Sequence, residues 1–401
     1  MLGAYLSVLL AQRVKSRLAA VVLSAVPLGM LTLAIVLCVQ EWTGSLRAAG
    51  SVSGLFGLGN AVGLGLQGWQ MDRAGSRTVV MAAGSVCTAA LTGFALAGTL
   101  GGSLWIVAVL AGIAGVSIPA ITTAVRAWLR FTFSDDSLRS TSYALLAALF
   151  RGAVAMGPVL VSLGLIMQGP TLAVGMAAVM IMAATLVYVI TGDRQTQHRA
   201  SQPDAPPEGP LVSAGLRTLL VAAGLEGLAV GVTAVAIPGV MSVASAAVLA
   251  GLGFTALALG QVLGALVFGS RLWPGPRWLQ LPALQAIAAL VAGVIFLVSQ
   301  QPWLLVVVML VAGFTMAPIS VLKSALLDDV APHKALARSY SMLVATGLVS
   351  AAAGNALAGN LAELTGVNGL LLLPVITFGL ASAWTASRHH TLKPDTGPSR
   401  A

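Results

Sequence analysis

Two ionisable side chains stand inside stretches that are otherwise almost wholly apolar: Glu226 and Arg151, each about ten residues into a long run rich in Leu, Val, Ala and Gly. By helix rise that depth is near the middle of a membrane span. An ionised group there is costly unless it is paired or hydrated, so each needs a counter-charge or a water-filled recess. The chemistry open to them is charge pairing, with each other or with a solute. For the Glu226 carboxyl it includes taking up and releasing a proton as its hydration and neighbouring charge change. A static ion pair that fixes helix packing is the other reading of the same residues. Arg126 and Lys323 lie near the ends of their runs, where long stems are expected to snorkel to the headgroups; both are also cavity candidates. Asn60 and Gln261 are mid-run amides able to bind a polar solute group or to bond across helices, and Asn355 is a third amide of that kind.

These residues need a frame that composition supplies. Of 401 residues, 58% are hydrophobic and only 8% are charged, against about 25% charged in a soluble domain. The chain is therefore an integral membrane protein. A net charge of +9 would suggest nucleic acid in a soluble protein. Here the basic residues sit mainly in short loops, where they orient spans, and no nucleic-acid partner is expected. Cys38 and Cys87 each lie in an apolar run without a CxxC or Cys/His cluster, so neither a disulfide nor a metal site is implied. No Gly-x4-Gly-Lys-Ser/Thr stretch offers a nucleotide site, which leaves ion gradients as the energy source and no cofactor.

Apolar runs long enough to cross a bilayer recur about twelve times, almost back to back. The first half reads Leu18 to Val39, Ala48 to Trp69, Thr78 to Leu100, Leu104 to Leu129, Thr141 to Met167 and Thr171 to Thr191. The second reads Leu216 to Met241, Ser245 to Ser270, Leu279 to Ser299, Trp303 to Leu327, Ser339 to Leu364 and Gly369 to Ser387. This divides the chain into a bundle at residues 1–191, a polar proline-rich linker at 192–215, a second bundle at 216–387 and a tail at 388–401 expected to be disordered. His389 and His390 in that tail are given no ligand role. Arg13, Lys15, Arg17, Arg73, Arg77, Arg194, Arg199 and Lys334, with other basic residues, fall on one side if each run crosses once, whereas Arg47 alone marks the other. The bias predicts a multi-pass protein of the inner (plasma) membrane with both termini cytoplasmic.

Between the second and third runs lies Gly68-Trp-Gln-Met-Asp72-Arg73-Ala-Gly75-Ser-Arg77. Gly68 is expected to let two helix ends approach, Asp72 to sit at a neighbouring helix N-terminus, Gly75 to take positive φ, and Arg73 and Arg77 to hold the loop on the cytoplasmic face. The second half echoes the first. Leu58 to Gly68 aligns without a gap on Leu259 to Gly269, Gly112 to Pro119 is matched by Gly313 to Pro318, and the unit Asp135-Asp136, Arg139, Tyr143, Gly157 is matched by Asp328-Asp329, Arg338, Tyr340, Gly354. Such order argues for a duplicated structural unit. In the second copy of the loop, Asp72, Gly75 and Arg77 are matched by Trp273, Pro276 and Trp278.

The loop and the doubled arrangement resemble those of the major facilitator superfamily over nearly the whole chain. The resemblance implies an all-α membrane protein with 12 transmembrane helices in two pseudo-symmetric six-helix bundles that rock about a central cavity. It implies a gating role for Gly68, Asp72, Arg73, Gly75 and Arg77. Gly157-Pro158 is similar to the Gly-Pro element of the family's proton-coupled antiporters, with departures. Val161 and Ser162 replace the paired glycines, Ala153 and Ala108 stand where a glycine and an arginine are expected, and no acid lies near Pro27. Arg151 and Glu226 are left as the substitute relay. The expectation is a secondary transporter, not an enzyme, that exports a small amphiphilic solute in exchange for protons. The alternative is a proton-coupled importer of a metabolite such as an organic acid. Partners are the small-molecule substrate, protons and membrane lipid, and the family default is a monomer. The acidic pairs at Asp135 and Asp328, with His333 beside the second, read as loop anchors in place of an enzyme site.

Overall fold

A chain this apolar can satisfy its backbone only within helices, and helices are what it forms. The computed structural model describes residues 14–133, 136–191, 213–244, 246–269, 273–330 and 336–393. In the first half these are α1 (Val14–Thr43), α2 (Leu46–Ala74), α3 (Ser76–Thr99), α4 (Leu104–Ser117), α5 (Ile121–Thr132), α6 (Asp136–Met167) and α7 (Pro170–Ile190). In the second they are α8 (Ala214–Val243), α9 (Ala247–Gly269), α10 (Arg277–Leu297), α11 (Pro302–Val330), α12 (Leu336–Gly369) and α13 (Leu372–Ser387). Among the described residues, twelve stretches are long and apolar enough to cross a membrane, with α4 and α5 forming one of them. Ser45 and Ser213 cap α2 and α8 by accepting from the backbone N–H of Ala48 and Leu216, and Pro170 opens α7 where its missing N–H costs nothing.

The chain divides into two compact units, Met1–Pro203 and Asp204–Ala401. Within the first, the main packing pairs are α1 with α6 and α7, α2 with α4, and α3 with α4 and α7. Within the second they are α8 with α12 and α13, α9 with α11, and α10 with α11 and α13. Counted by spans, the pairings are the same. The repeated glycines explain why. A Cβ on Gly115 would stand 3.1 Å from the backbone nitrogen of Asn60, and one on Gly313 would stand 2.9 Å from that of Gln261. In each unit a glycine thus lets two backbones touch at the matching crossing.

Residues 192–212 of the expected linker and 394–401 of the expected tail lie outside the described residues, as do Arg13, Asp135, Arg194, Arg199, Arg271, His333 and Lys334. The start of the tail corrects the expectation of disorder from Arg388 onward. His389–Leu392 forms a 3-10 turn whose Leu392 is fully buried in the core of the second unit, with the Thr391 hydroxyl 2.9 Å from that of Thr218 on α8. An apolar residue four positions beyond Arg388 is enough to dock it.

One of the expected spans also changes. Leu104 to Leu129 is broken at Ile118–Ala120, because a β-branched residue before Pro119 is driven out of the helical region. Gln67 of α2 closes on the break: its amide nitrogen donates to the carbonyls of Val116 (3.0 Å) and Ile118 (2.8 Å), and its oxygen accepts from the N–H of Ala120 (2.9 Å). Three backbone groups that the broken ladder would leave bare are thereby satisfied. Arg151 lies near the middle of the 32-residue α6.

Candidate functional site

In the second unit, α10 buries the stripe Leu281, Gln285, Ala288 and Ala292, a single amide in an apolar row. α13 buries Ala381 and Thr385 one turn apart, and α8 buries Glu226 near its middle. About two turns before its end, α11 carries Lys323 beside the buried Leu322. These four polar side chains meet. Lys323 Nζ donates to Glu226 Oε2 in an ion pair, Gln285 Nε2 donates to Glu226 Oε1 at 2.8 Å, and the Thr385 hydroxyl donates to Gln285 Oε1 at 2.6 Å. The charged side chains are only 14% and 9% exposed, and Gln285 and Thr385 are fully buried.

A carboxylate and an ammonium removed from water lose several kcal/mol of hydration each, and mutual attraction offsets this only when the remaining hydrogen-bonding capacity is also met. Gln285 supplies that second bond to Glu226, and Thr385 holds Gln285. The pair is thus both costly and supported from behind, which is how a structure keeps a titratable group at membrane depth.

Lys323 corrects the snorkelling expectation: its ammonium turns to Glu226. It is also the cation that Glu226 pairs with, where the sequence offered Arg151. The reason is geometric, since a long lysine stem starting about two turns from the helix end reaches inward as readily as outward. Arg151 is exposed on α6, and among the described residues it makes no ion pair. Arg126 is exposed on α5, its guanidinium 6.0 Å from the Tyr143 ring centroid. Asn60 is buried where α2 crosses α4, and Gln261 lies half-buried at the matching crossing of α9 on α11.

At the loop between α2 and α3, Gly75 takes φ 81° and joins the helices, its N–H donating to Met71 O at 3.0 Å. Arg73 lies 3.9 Å from the Trp69 ring centroid. Arg77 is half-buried in the first turn of α3. Asp72 falls in the last turn of α2, its side chain outside what is described. Gly68 does not mark a close approach: a Cβ there would meet nothing within 4 Å. The second copy of the loop keeps a positive-φ glycine after all, at Gly275 (φ 85°), one position before the Pro276 that aligns with Gly75. Gln280 bonds three carbonyls of that turn, closest to Gly275 at 2.8 Å, and the Trp273 ring stacks on Phe268 at 5.5 Å. Gly157 and Pro158 are buried where α6 crosses α1, a Cβ on Gly157 falling 2.6 Å from the nitrogen of Met30.

Sequence reasoning found Glu226 and Lys323 but missed Gln285, Thr385 and Gln67. The two glutamines carried a readable signal, an amide inside an otherwise apolar run. Thr385, a residue common in apolar helices, carried none.

A sequence model of the Major Facilitator Superfamily matches residues 18–222. Among curated proteins no match was found. Among solved structures, a crystal structure of a mutant of the nucleoside transporter NupG aligns with a TM-score of 0.72 at 13% identity, covering 94% of this chain and 100% of that one. A crystal structure of an auto-inhibited POT family peptide transporter aligns with a TM-score of 0.64 at 14% identity, covering 96% of this chain and 98% of that one. At such identities the likeness speaks for the fold alone.

Proposed function

This chain belongs to the major facilitator superfamily, a family of secondary transporters and not of enzymes, and we propose that it couples movement of a small organic solute to protons through Glu226 and Lys323. The observation that carries this reading is the buried ion pair itself, where an acid and a base meet away from a helix end. Its chemistry sets the sign of coupling. When Glu226 takes a proton, Lys323 loses its counter-charge while still largely buried, and an anionic group of the solute restores it. A proton and a small organic anion are then favoured together, which under an inward proton gradient means uptake.

Export of an amphiphilic solute in exchange for protons is the second reading. It rests on the Gly157-Pro158 element, buried at the α1–α6 crossing. Here the two bundles, joined through 192–215 and with both termini on the cytoplasmic side, alternate in exposing the site, and the Gly68–Arg77 loop gates the motion.

The test uses the purified protein in liposomes loaded with a pH-sensitive dye. Lactate, benzoate or succinate added outside drives proton entry if the first reading holds. Ethidium moving against an imposed proton gradient, with no carboxylate effect, supports the second. In either case Glu226→Gln is expected to cut solute-linked proton flux at least about tenfold while leaving protein in the vesicles. Unchanged proton-linked flux in that variant removes Glu226 from the coupling.

A further inference from the structure

Gln285 is held at both ends by groups whose hydrogen-bonding sense can reverse, a carboxyl and a hydroxyl. Its nitrogen faces Glu226 Oε1 at 2.8 Å and its oxygen faces the Thr385 hydroxyl at 2.6 Å. Thr385 has other places for its single proton, the carbonyls of Ala381 at 2.9 Å and Ser382 at 3.2 Å in the preceding turn. A hydroxyl with such acceptors in reach can either donate to Gln285 or turn its proton to the backbone, best to Ala381, and accept instead. A carboxyl has the same duality, accepting only when ionised and able to donate when protonated.

We propose that Gln285 and Thr385 are positioning residues that register the protonation of Glu226 by reversal of the Gln285 amide, an inference that rests on Glu226 being the proton carrier. With Glu226 ionised, Thr385 donates to Gln285 Oε1 and Gln285 Nε2 donates to the carboxylate. When Glu226 takes a proton from water, its new O–H donates to Gln285 Oε1, Gln285 Nε2 donates to Thr385 Oγ1, and the Thr385 proton moves to the Ala381 carbonyl by rotation of its own C–O bond. Both states keep the Glu226–Gln285 and Gln285–Thr385 hydrogen bonds, with their direction reversed. The only proton gained is the one bound to Glu226, and no other covalent bond changes.

The surroundings leave this chain of bonds as the main local control besides Lys323. Of the helices packed on α8, α9 and α13 carry no acidic or basic side chain. Asp328 and Asp329 on α11, Arg277 on α10, Tyr340 and Glu363 on α12, Arg217 in the first turn of α8, and His389 and His390 in the 3-10 turn packed on that end of α8 lie toward helix ends, and Asp329 pairs with Arg277 there at 3.4 Å. Gln285 belongs to α10 and Thr385 to α13, so a change in Glu226 is passed to both helices as a change in bond direction without a change in packing.

The experiment is an infrared pH titration of the purified full chain in lipid, following the carboxylic C=O band that Glu226→Gln removes. Thr385→Val keeps the shape and deletes the hydroxyl. It is expected to move the midpoint of that band upward by about one pH unit, because the amide is no longer held with its N–H toward the carboxylate. Gln285→Leu is expected to move it at least as far, and Thr385→Ser to restore it. If Thr385→Val and Gln285→Leu both leave the midpoint in place while the protein remains folded, the two residues only pack, and the inference fails with Glu226 still a proton carrier. If no carboxylic band titrates in the parent protein, the coupling role of Glu226 fails, and this inference with it.

Discussion

The fourth and tenth spans are copies that answer proline in opposite ways. In the first unit the helix breaks at Pro119, and Gln67 closes on the exposed backbone. In the second, Pro318 sits inside an unbroken α11 that goes on, about one and a half turns later, to present Lys323 to Glu226. The residue before each proline differs, β-branched Ile118 against Ala317, the better helix former. The position matching Gln67 is Phe268, which offers no hydrogen bond and stacks on Trp273 instead. The crossing glycines are shared, so the scaffold is common to both halves. What diverged at this matched pair of spans is the work of the buried polar groups: at the fourth, Gln67 repairs backbone, and at the tenth, Lys323 joins a buried ion pair.

That contrast is broken most directly by removing one charge. Lys323→Met leaves the Glu226 carboxylate buried without its cation, a change expected to cost about 3–5 kcal/mol. Adding Glu226→Gln to it should recover most of the loss. Arg126→Met in the first unit removes an exposed guanidinium and is expected to change thermal unfolding in detergent little. Equal losses for Lys323→Met and Arg126→Met would erase the distinction between the halves.

Next comes Gln67→Leu, which strands two carbonyls and one N–H at the break. At about 1–3 kcal/mol for each unsatisfied group, less what local relaxation recovers, it should rank just below the lysine change. Phe268→Leu at the matching position loses a ring stack worth about 1 kcal/mol. If the two variants unfold alike, Gln67 is not what holds the broken helix.

Much of this architecture was legible before any coordinates, because crossing a bilayer demands long apolar runs and close helix crossings demand small residues. Gly115 and Gly313 were visible as parts of a repeat for that reason. The site was legible only in part. Glu226 stood out because a charge at such depth is rare, but its partner could not be read. Which of several basic residues turns toward an acid depends on helix rotation, and runs apolar on every side give no amphipathic stripe from which to read rotation. The break in the fourth span was hidden for a related reason. A proline announces a possible kink, yet Pro119 and Pro318 show that the outcome depends on a side chain about 50 residues away in sequence, Gln67 or Phe268.

The smallest contrast lies at the matched tyrosines. Tyr340, just before the apolar part of α12, donates its hydroxyl to Ser324 O at 3.0 Å or Asp328 Oδ1 at 3.1 Å. Tyr143 has its ring near Arg126 instead. Burial first, then the bond to and negative charge of Asp328, push the Tyr340 phenol from 10.0 up to about 12. The folded state therefore holds that proton more tightly than the unfolded chain does, so the contribution is fully present below pH 10.0 and is lost as pH rises through about 12. Tyr340→Phe should lower stability by about 1 kcal/mol, and by the same amount at every pH in the neutral range. The gap between parent and variant should widen or narrow only in alkali, and there it should narrow as the parent loses its advantage. Tyr143→Phe keeps the ring beside Arg126 and is expected to cost less, with no alkaline narrowing of this origin. A Tyr340→Phe deficit that already fades between neutral pH and 10.0 would mean that Asp328 and burial do not hold the phenol as the geometry indicates.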